Sequence, residues 1–300
     1  MYDIIIIGAG TAGMTAALYA RRAGKSVLVL EKEGIGGQIV FSPRIENFPS
    51  VPNISGSAYA NALFEQVSSL GAEFDFRAVK SIQKKDGAFL AVTAKKEYET
   101  KSVILATGVK HRRLGIDREE ELAGEGLSYC AVCDGAFFRD KTTAVVGGGN
   151  TALTDALYLS EISKKVFLIH RRDTFRAEQR LVEALKNRPN VEFILDSVVT
   201  ALYGAPSLTA IGLKNQKNEA EQTLPLDGLF VAVGQEPFNQ PFAALVDLDE
   251  NGFIRAGENC RTSALGIFAA GDCRTKEIRQ LTTAAADGAV AALAACKFLL

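Results

Sequence analysis

Cys130-Ala-Val-Cys133-Asp134 sets two thiols three residues apart, close enough to form a small reducible ring, with a carboxylate directly after the second sulfur. Pairs at this spacing carry a lowered pKa on one sulfur, so disulfide exchange is the chemistry they favour. Opening such a ring moves protons as well as electrons, which makes Asp134 a candidate general acid and base. A turn residue before Gly135 is its alternative role. Half a zinc site is the other reading of the pair, but Cys260, Cys273 and Cys296 stand singly and the two histidines, His111 and His170, are far apart in sequence. No second ligand pair exists for a metal, and the lone cysteines read as small buried hydrophobes.

Two glycine fingerprints share one internal spacing. Gly8, Gly10 and Gly13 lie ahead of Glu31, and Gly147, Gly149 and Ala152 lie ahead of His170, with 23 residues from first glycine to last residue in both sets. Each follows an apolar run, Ile4-Ile-Ile-Ile7 or Thr143-Ala-Val-Val146, and opens a helix. That is the context in which the first glycine makes the tight turn, the second lets backbone approach a pyrophosphate, and the third lets helix pack on strand. Helix N-terminal amides then hold the anion. One chain is therefore expected to hold two dinucleotides.

The copies differ at their ends. Glu31, closing the strand Val27-Leu-Val-Leu30, is placed to accept from an unphosphorylated ribose, as in FAD or NAD. The second copy ends in His170-Arg171-Arg172 with Arg176 a turn later, and a cationic end suits a 2′-phosphate gripped by guanidinium forks, hence NADPH. A solvated basic loop is the alternative.

The elements that must position these groups follow from pattern. The chain has 300 residues, 47% of them hydrophobic, with 34 Lys and Arg against 35 Asp and Glu; this is globular stock for two domains with no charge block for nucleic acid or a membrane surface. Five cysteines outside any disulfide framework suit a reducing compartment, and the absence of a signal-peptide pattern points to the cytoplasm. The apolar stretch 284–300 is broken by Asp287 and Lys297 and reads as too short for a membrane span.

Helices are expected over Met14–Ala23, Ala58–Leu70 and Arg176–Lys186. Strands are expected over Phe74–Ile82, Phe89–Thr93, Val103–Leu105, Val191–Ile194, Ala210–Lys214 and 228–234. Ala106-Thr107-Gly108 lets a strand end approach a nucleotide, or makes a plain tight turn. Gln235 to Pro241, with two prolines, reads as a linker. Beyond it one strand, 266–270, then Gly271-Asp272 and an Ala-rich helix are too little for a domain and return to the first unit. The fold expected is α/β with two Rossmann-like domains, the second (113–240) inserted into the first (1–112 and 241–300). Asp272 at a strand end can accept from ribityl hydroxyls or simply cap a helix, and the helix from about Leu281 can aim amides at a flavin. Dithiol and nicotinamide then share one unit, yet each must come within about 3.5 Å of the flavin to react, so rotation of the insert about its two crossovers is expected.

These motifs resemble those of low-molecular-weight thioredoxin reductases of the bacterial type, in the FAD- and NAD-linked pyridine nucleotide-disulfide oxidoreductase family. The matching segments span the chain: 8–13, Gly36-Gly37-Gln38, Glu46-Asn47, 106–108, 130–134, Gly147-Gly-Gly-Asn150-Thr151-Ala152, 170–176, Gly271-Asp272 and Arg279-Gln280-Leu281. The resemblance implies FAD contacts at Gln38, Asn47, Asp272, Gln280 and Leu281, and NADPH phosphate contacts at Arg171, Arg172 and Arg176. It implies Cys133 facing the flavin, Cys130 exchanging with a thioredoxin disulfide, Asp134 managing protons, and a homodimer. Val233-Gly-Gln-Glu-Pro237 lacks a His common after this glycine, and Thr154-Asp155 replaces a Glu pair. A dithiol oxidase would keep the cysteines without needing the arginines, and a flavin redox sensor is a non-catalytic alternative.

Overall fold

The computed structural model describes residues 1–85 and 87–300. In chain order the first stretch holds β1 (Tyr2–Ile7), α1 (Thr11–Arg22), β2 (Val27–Leu30), α2 (Gly56–Ser69), β3 (Glu73–Asp75), β4 (Val79–Lys85), β5 (Ala88–Thr93) and β6 (Glu97–Leu105), with β7 (Val109–His111) leading out. A second unit carries α3 (Glu119–Leu122), β8 (Leu127–Ser128), α4 (Ala131–Asp134), β9 (Thr142–Val146), α5 (Asn150–Ser160), β10 (Lys165–Ile169), α6 (Gln179–Lys186) and β11 (Val191–Ile194). After these come β12 (Ser197–Tyr203), β13 (Ala210–Asn215), β14 (Glu221–Pro225) and β15 (Gly228–Val231). Then β16 (Gln235–Pro237) leads back to β17 (Ile267–Ala269) and α7 (Leu281–Phe298).

The chain divides into Met1–Lys110 with Glu236–Leu300, and His111–Gln235. The cuts fall before 112 and 240 because the supposed linker is structured. Gln235–Pro237 pairs with Val109–His111 as a two-stranded ladder. Asn239, fully buried, then accepts from Thr107 Oγ1 at 2.8 Å and donates to the carbonyls of Gly252 and Cys273, each at 2.9 Å.

In the first unit the sheet runs β3-β2-β1-β6-β5-β4, with β17 pairing the second half of β6. The unbroken apolar run of β1 is explained by two covered faces: Ile4 and Ile6 enter one core, Ile5 and Ile7 the other, as parallel strands buried on both sides require. The single strand expected over 74–82 is two. Asp75 ends the first by accepting from Arg77 Nη1 at 2.9 Å and from the Tyr98 hydroxyl, which turns the chain before β4 starts antiparallel to β5.

α7 contradicts the expectation drawn from its two charges: its 18 residues, at mean hydropathy 1.2, are long and apolar enough by length and composition to cross a membrane. It lies instead against α1, where a Cβ on Gly288 would meet the Ala12 carbonyl and stand 3.0 Å from the Ala16 amide nitrogen.

The second unit has a parallel sheet in the order β11-β10-β9-β15-β8, again with alternate residues in two cores. Beside it lies an antiparallel sheet, β12-β13-β14, of which only β13 is legible in the sequence. β14 is mostly exposed and polar, Glu-Gln-Thr-Leu-Pro, so it carries no alternation to read. α6 begins at Gln179, three residues later than expected. Arg176 donates its backbone N–H to the Gly148 carbonyl at 2.8 Å, and Glu178 donates to Asn150 Oδ1 at 2.8 Å, so both bind the glycine turn rather than the helix.

Candidate active site

The first fingerprint turn is built by backbone contact. A Cβ on Gly8 would collide with the Ala106 carbonyl, and one on Gly13 with the Gly8 carbonyl, so neither position admits a side chain. Gly10 and Gly37 are different: a Cβ on Gly10 would approach nothing closer than the Gly36 carbonyl at 3.8 Å, and one on Gly37 nothing closer than Gly10 Cα at 3.5 Å. These two pack close to each other at the N-terminus of α1, whose cap, Gly10, supplies no side-chain acceptor. The helix amides there are available to an anion.

Glu31 Oε2 accepts the Ala9 N–H at 2.8 Å, and Oε1 accepts those of Lys32 and Glu33 at 2.7 and 2.8 Å. A carboxylate accepts about four hydrogen bonds, so one acceptor position is left for a ligand. Glu31, Gly8 and Thr107 line one pocket together with Lys32 and Phe238. Gly108 has φ +64, with open space where a Cβ would stand.

Across the same unit, residues far apart in sequence meet. Asn47 Nδ2 donates to Gln280 Oε1 at 3.3 Å, and Gln280 caps α7 through Thr283, so Leu281 opens that helix. Gln38 sits exposed in the 3-10 turn Gly37–Phe41. Asp272 Oδ1 is buried with no hydrogen-bond partner among the described residues, and burial pushes its carboxyl pKa up. A buried acceptor left without a donor is costly. Hydroxyls of a bound ligand would relieve it, so the uncapped start of α1, the free position on Glu31 and this orphaned oxygen fit a flavin dinucleotide.

The second fingerprint repeats the design. A Cβ on Gly147 would stand 2.6 Å from that of Ala152, whereas Gly149, the uncapped start of α5, has nothing within 4 Å. Asn150 is tied to Glu178, its Nδ2 donating to Oε1 at 3.1 Å, and Thr151 is exposed beside it. Arg171, Arg172 and Arg176 are exposed and make no side-chain hydrogen bond or ion pair among the described residues. His170 directly follows β10, ahead of these arginines. Its ring is buried, stacks on Phe175 at 5.2 Å, and has Nε2 3.1 Å from the Thr174 carbonyl. Burial above all pushes its pKa down, opposed by the contact with the Thr174 carbonyl and aided by the three arginines.

In the same unit Cys130 and Cys133 are joined as a disulfide. β8 brings up Ser128, which sequence reasoning missed. Its hydroxyl donates to Asp134 Oδ2 at 2.6 Å and accepts the Cys130 N–H at 3.0 Å, fixing acid and sulfur together. Burial raises the Asp134 pKa against the opposing hydrogen bond from Ser128, as a proton-handling carboxyl requires. Cys133 donates its N–H to Cys130 Sγ at 3.2 Å, a contact that favours a thiolate on Cys130 once the pair opens. Cys133 is exposed and Cys130 half-buried.

Residues 2–288 match the sequence profile described as pyridine nucleotide-disulphide oxidoreductase. The chain belongs to that family. Pyridine nucleotide-disulphide oxidoreductases work with a pyridine nucleotide and a flavin. The chain is 42% identical to a thioredoxin reductase of Listeria innocua over 302 residues, covering all of this chain and 94% of the relative. A solved thioredoxin reductase from Streptococcus pyogenes MGAS5005 is 41% identical with a TM-score of 0.96, over 100% of this chain and 98% of that one. Lactococcus lactis thioredoxin reductase (FR conformation) is 40% identical with a TM-score of 0.68, over 100% and 99%.

Proposed function

We propose that this chain is a cytoplasmic thioredoxin-disulfide reductase, a homodimer that oxidises NADPH and reduces thioredoxin through FAD and the Cys130–Cys133 pair. The observation that carries this reading is a disulfide with a half-buried carboxylate held beside it by Ser128, in the same unit as a second dinucleotide turn. Relatives named thioredoxin reductase at about 40% identity over the full length support it. Met1–Lys110 with Glu236–Leu300 is the FAD unit, using Gly8, Gly10, Gly13, Glu31, Gly37, Gln38, Asn47, Thr107, Gly108, Asp272, Gln280 and Leu281. His111–Gln235 is the NADPH unit, using Gly149, Asn150, Thr151, Arg171, Arg172 and Arg176, with His170 beneath them.

Bound FAD supplies a two-electron relay between the NADPH hydride and the disulfide. The chain's own groups do the rest. Two electrons and two protons convert Cys130–Cys133 to a dithiol, with Asp134 delivering and removing a proton at the sulfurs. Cys130 thiolate attacks the thioredoxin disulfide, forming a mixed disulfide, and Cys133 displaces the reduced thioredoxin and restores the ring. The balance is one NADPH and one proton consumed per disulfide reduced. Rotation of the insert about β7 and β16 alternates dithiol and nicotinamide at the flavin. Two solved relatives of near-equal identity but TM-scores of 0.96 and 0.68 support a chain hinged in this way.

The test is anaerobic addition of NADPH to the FAD-loaded protein, followed by oxidised thioredoxin. Bleaching of the flavin and then stoichiometric thioredoxin thiols are expected. Cys130→Ser and Cys133→Ser should each keep the bleaching and lose the thiols. NADPH consumption that reaches oxygen but never thioredoxin would replace this reading with a dithiol oxidase.

A further inference from the structure

We propose that Asp287 on α7, together with Arg274 and Lys276, is a positioning device for the flavin site: it locks the Gly271–Cys273 turn so that the Asp272 carboxylate is held at the ligand. The inference rests on the FAD reading of this unit.

The Asp287 carboxylate takes four hydrogen bonds, which is all it can accept. Oδ2 receives the Gly271 N–H at 2.9 Å, Arg274 Nε at 2.8 Å and Lys276 Nζ at 2.9 Å, and Oδ1 receives Arg274 Nη2 at 2.7 Å. All three side chains are buried, at 8%, 3% and 6% exposure. Burying three charges is a poor route to stability, because desolvation offsets most of the attraction, so such a cluster calls for another role. Its placement supplies one. Gly271 is the residue before Asp272, at φ +78, and a Cβ there would stand 2.7 Å from Ala12 Cβ on the first turn of α1. One residue beyond Asp287, Gly288 brings α7 against the backbone of that same turn. Asp287 thus ties α7, the start of the dinucleotide helix and the Asp272 turn into one rigid piece.

Charge points the same way. Arg274 and Lys276 both face the Asp287 carboxylate, with the exposed Glu258 carboxylate 3.6 Å from Arg274 on the solvent side, and Asp272 Oδ1 has no hydrogen-bond partner among the described residues. Burial raises the Asp272 pKa, and Lys276, Arg279 and Arg274 each oppose that rise while Asp287 adds to it. The cluster therefore orients the acceptor and offsets the cost of keeping it ionised for hydroxyl donors.

The experiment is titration of the apo-protein with FAD, read by flavin fluorescence, for wild type, Asp272→Asn, Asp287→Asn and the double variant, with NADP+ binding to the other unit as the check on folding. Each single change should weaken FAD binding about tenfold, the loss of one buried charged hydrogen bond. If Asp287 acts through Asp272, the double variant binds within about twofold of Asp272→Asn alone. Losses that multiply toward about a hundredfold would make Asp287 a general support and overturn the proposal, as would an Asp287→Asn variant with wild-type FAD affinity. Should Asp287→Asn fail to fold, Lys276→Met carries the same cycle with Asp272→Asn, and a multiplied or absent loss is again decisive. Wild-type protein that binds no FAD would sink the underlying reading instead.

Discussion

Asp134 and Asp155 are two half-buried carboxyls in the same unit, and their surroundings predict opposite uses. Asp134 has Ser128 within 2.6 Å and sits directly after a redox sulfur. Asp134→Asn should lower thioredoxin turnover about a hundredfold, in the range for a lost acid–base group, while flavin bleaching by NADPH stays intact; stopped-flow traces of the two half-reactions separate these. Ser128→Ala should shift the Asp134-dependent limb of the pH profile upward, since the hydroxyl opposes the rise caused by burial. Asp155, on α5, is pushed up to about 7 by burial alone. A carboxyl raised in the folded state binds a proton that the unfolded chain has released, so stability falls as pH rises from about 4 to 7. Asp155→Asn should therefore raise Tm by about 2 °C at pH 8 and leave it unchanged at pH 4, by calorimetry. Cys130, Cys133, Asp134 and the fingerprint glycines were legible because each acts within a few residues of sequence. Ser128 was not, because a serine two residues before a cysteine has no signature until β8 aligns it.

At the scale of elements, the glycine turns decide what each unit can bind. Gly13→Ala forces a methyl into the Gly8 carbonyl and should cost about 2 kcal/mol of stability as well as flavin retention, checked by denaturant melts and by colour after purification. In the second unit the exposed arginines follow β10, and their loop is pinned by Arg176 to Gly148 and by Lys217, which bridges Asp173 and Asp196 at 2.9 Å each. Replacing Arg171 and Arg172 together by Gln should raise the KM for NADPH at least about tenfold and leave that for NADH nearly unchanged, the mark of lost phosphate contacts. Equal losses for both would assign the loop to general structure. Short apolar strands, β2, β5 and β11, were readable to within a residue. The start of α6 and the strand β14 were not: the first residues of one are spent on a turn nearby in space, and the other exposes polar side chains with no periodic pattern.

For the whole molecule the consequence of two nucleotide turns and one dithiol is that access to the flavin must alternate. A Cys133→Ser variant trapped on thioredoxin through Cys130 has its sulfur committed to a protein outside the flavin site, so NADPH should bleach its FAD without lag, and a trapped adduct that stays yellow would refute alternation. Sequence alone pointed to two dinucleotide-type glycine turns, an exchangeable sulfur pair and one unit inserted in another, because those features reside in glycine, cysteine and arginine spacings that work locally. Tertiary structure alone decided that His170 lies buried beneath the arginines, that Asn239 ties Thr107 across 132 residues, and that Asp287 braces Gly271 across 16. Such contacts form only when packed elements bring distant side chains to one point, and hydrogen bonding after burial leaves no period or motif in the chain itself.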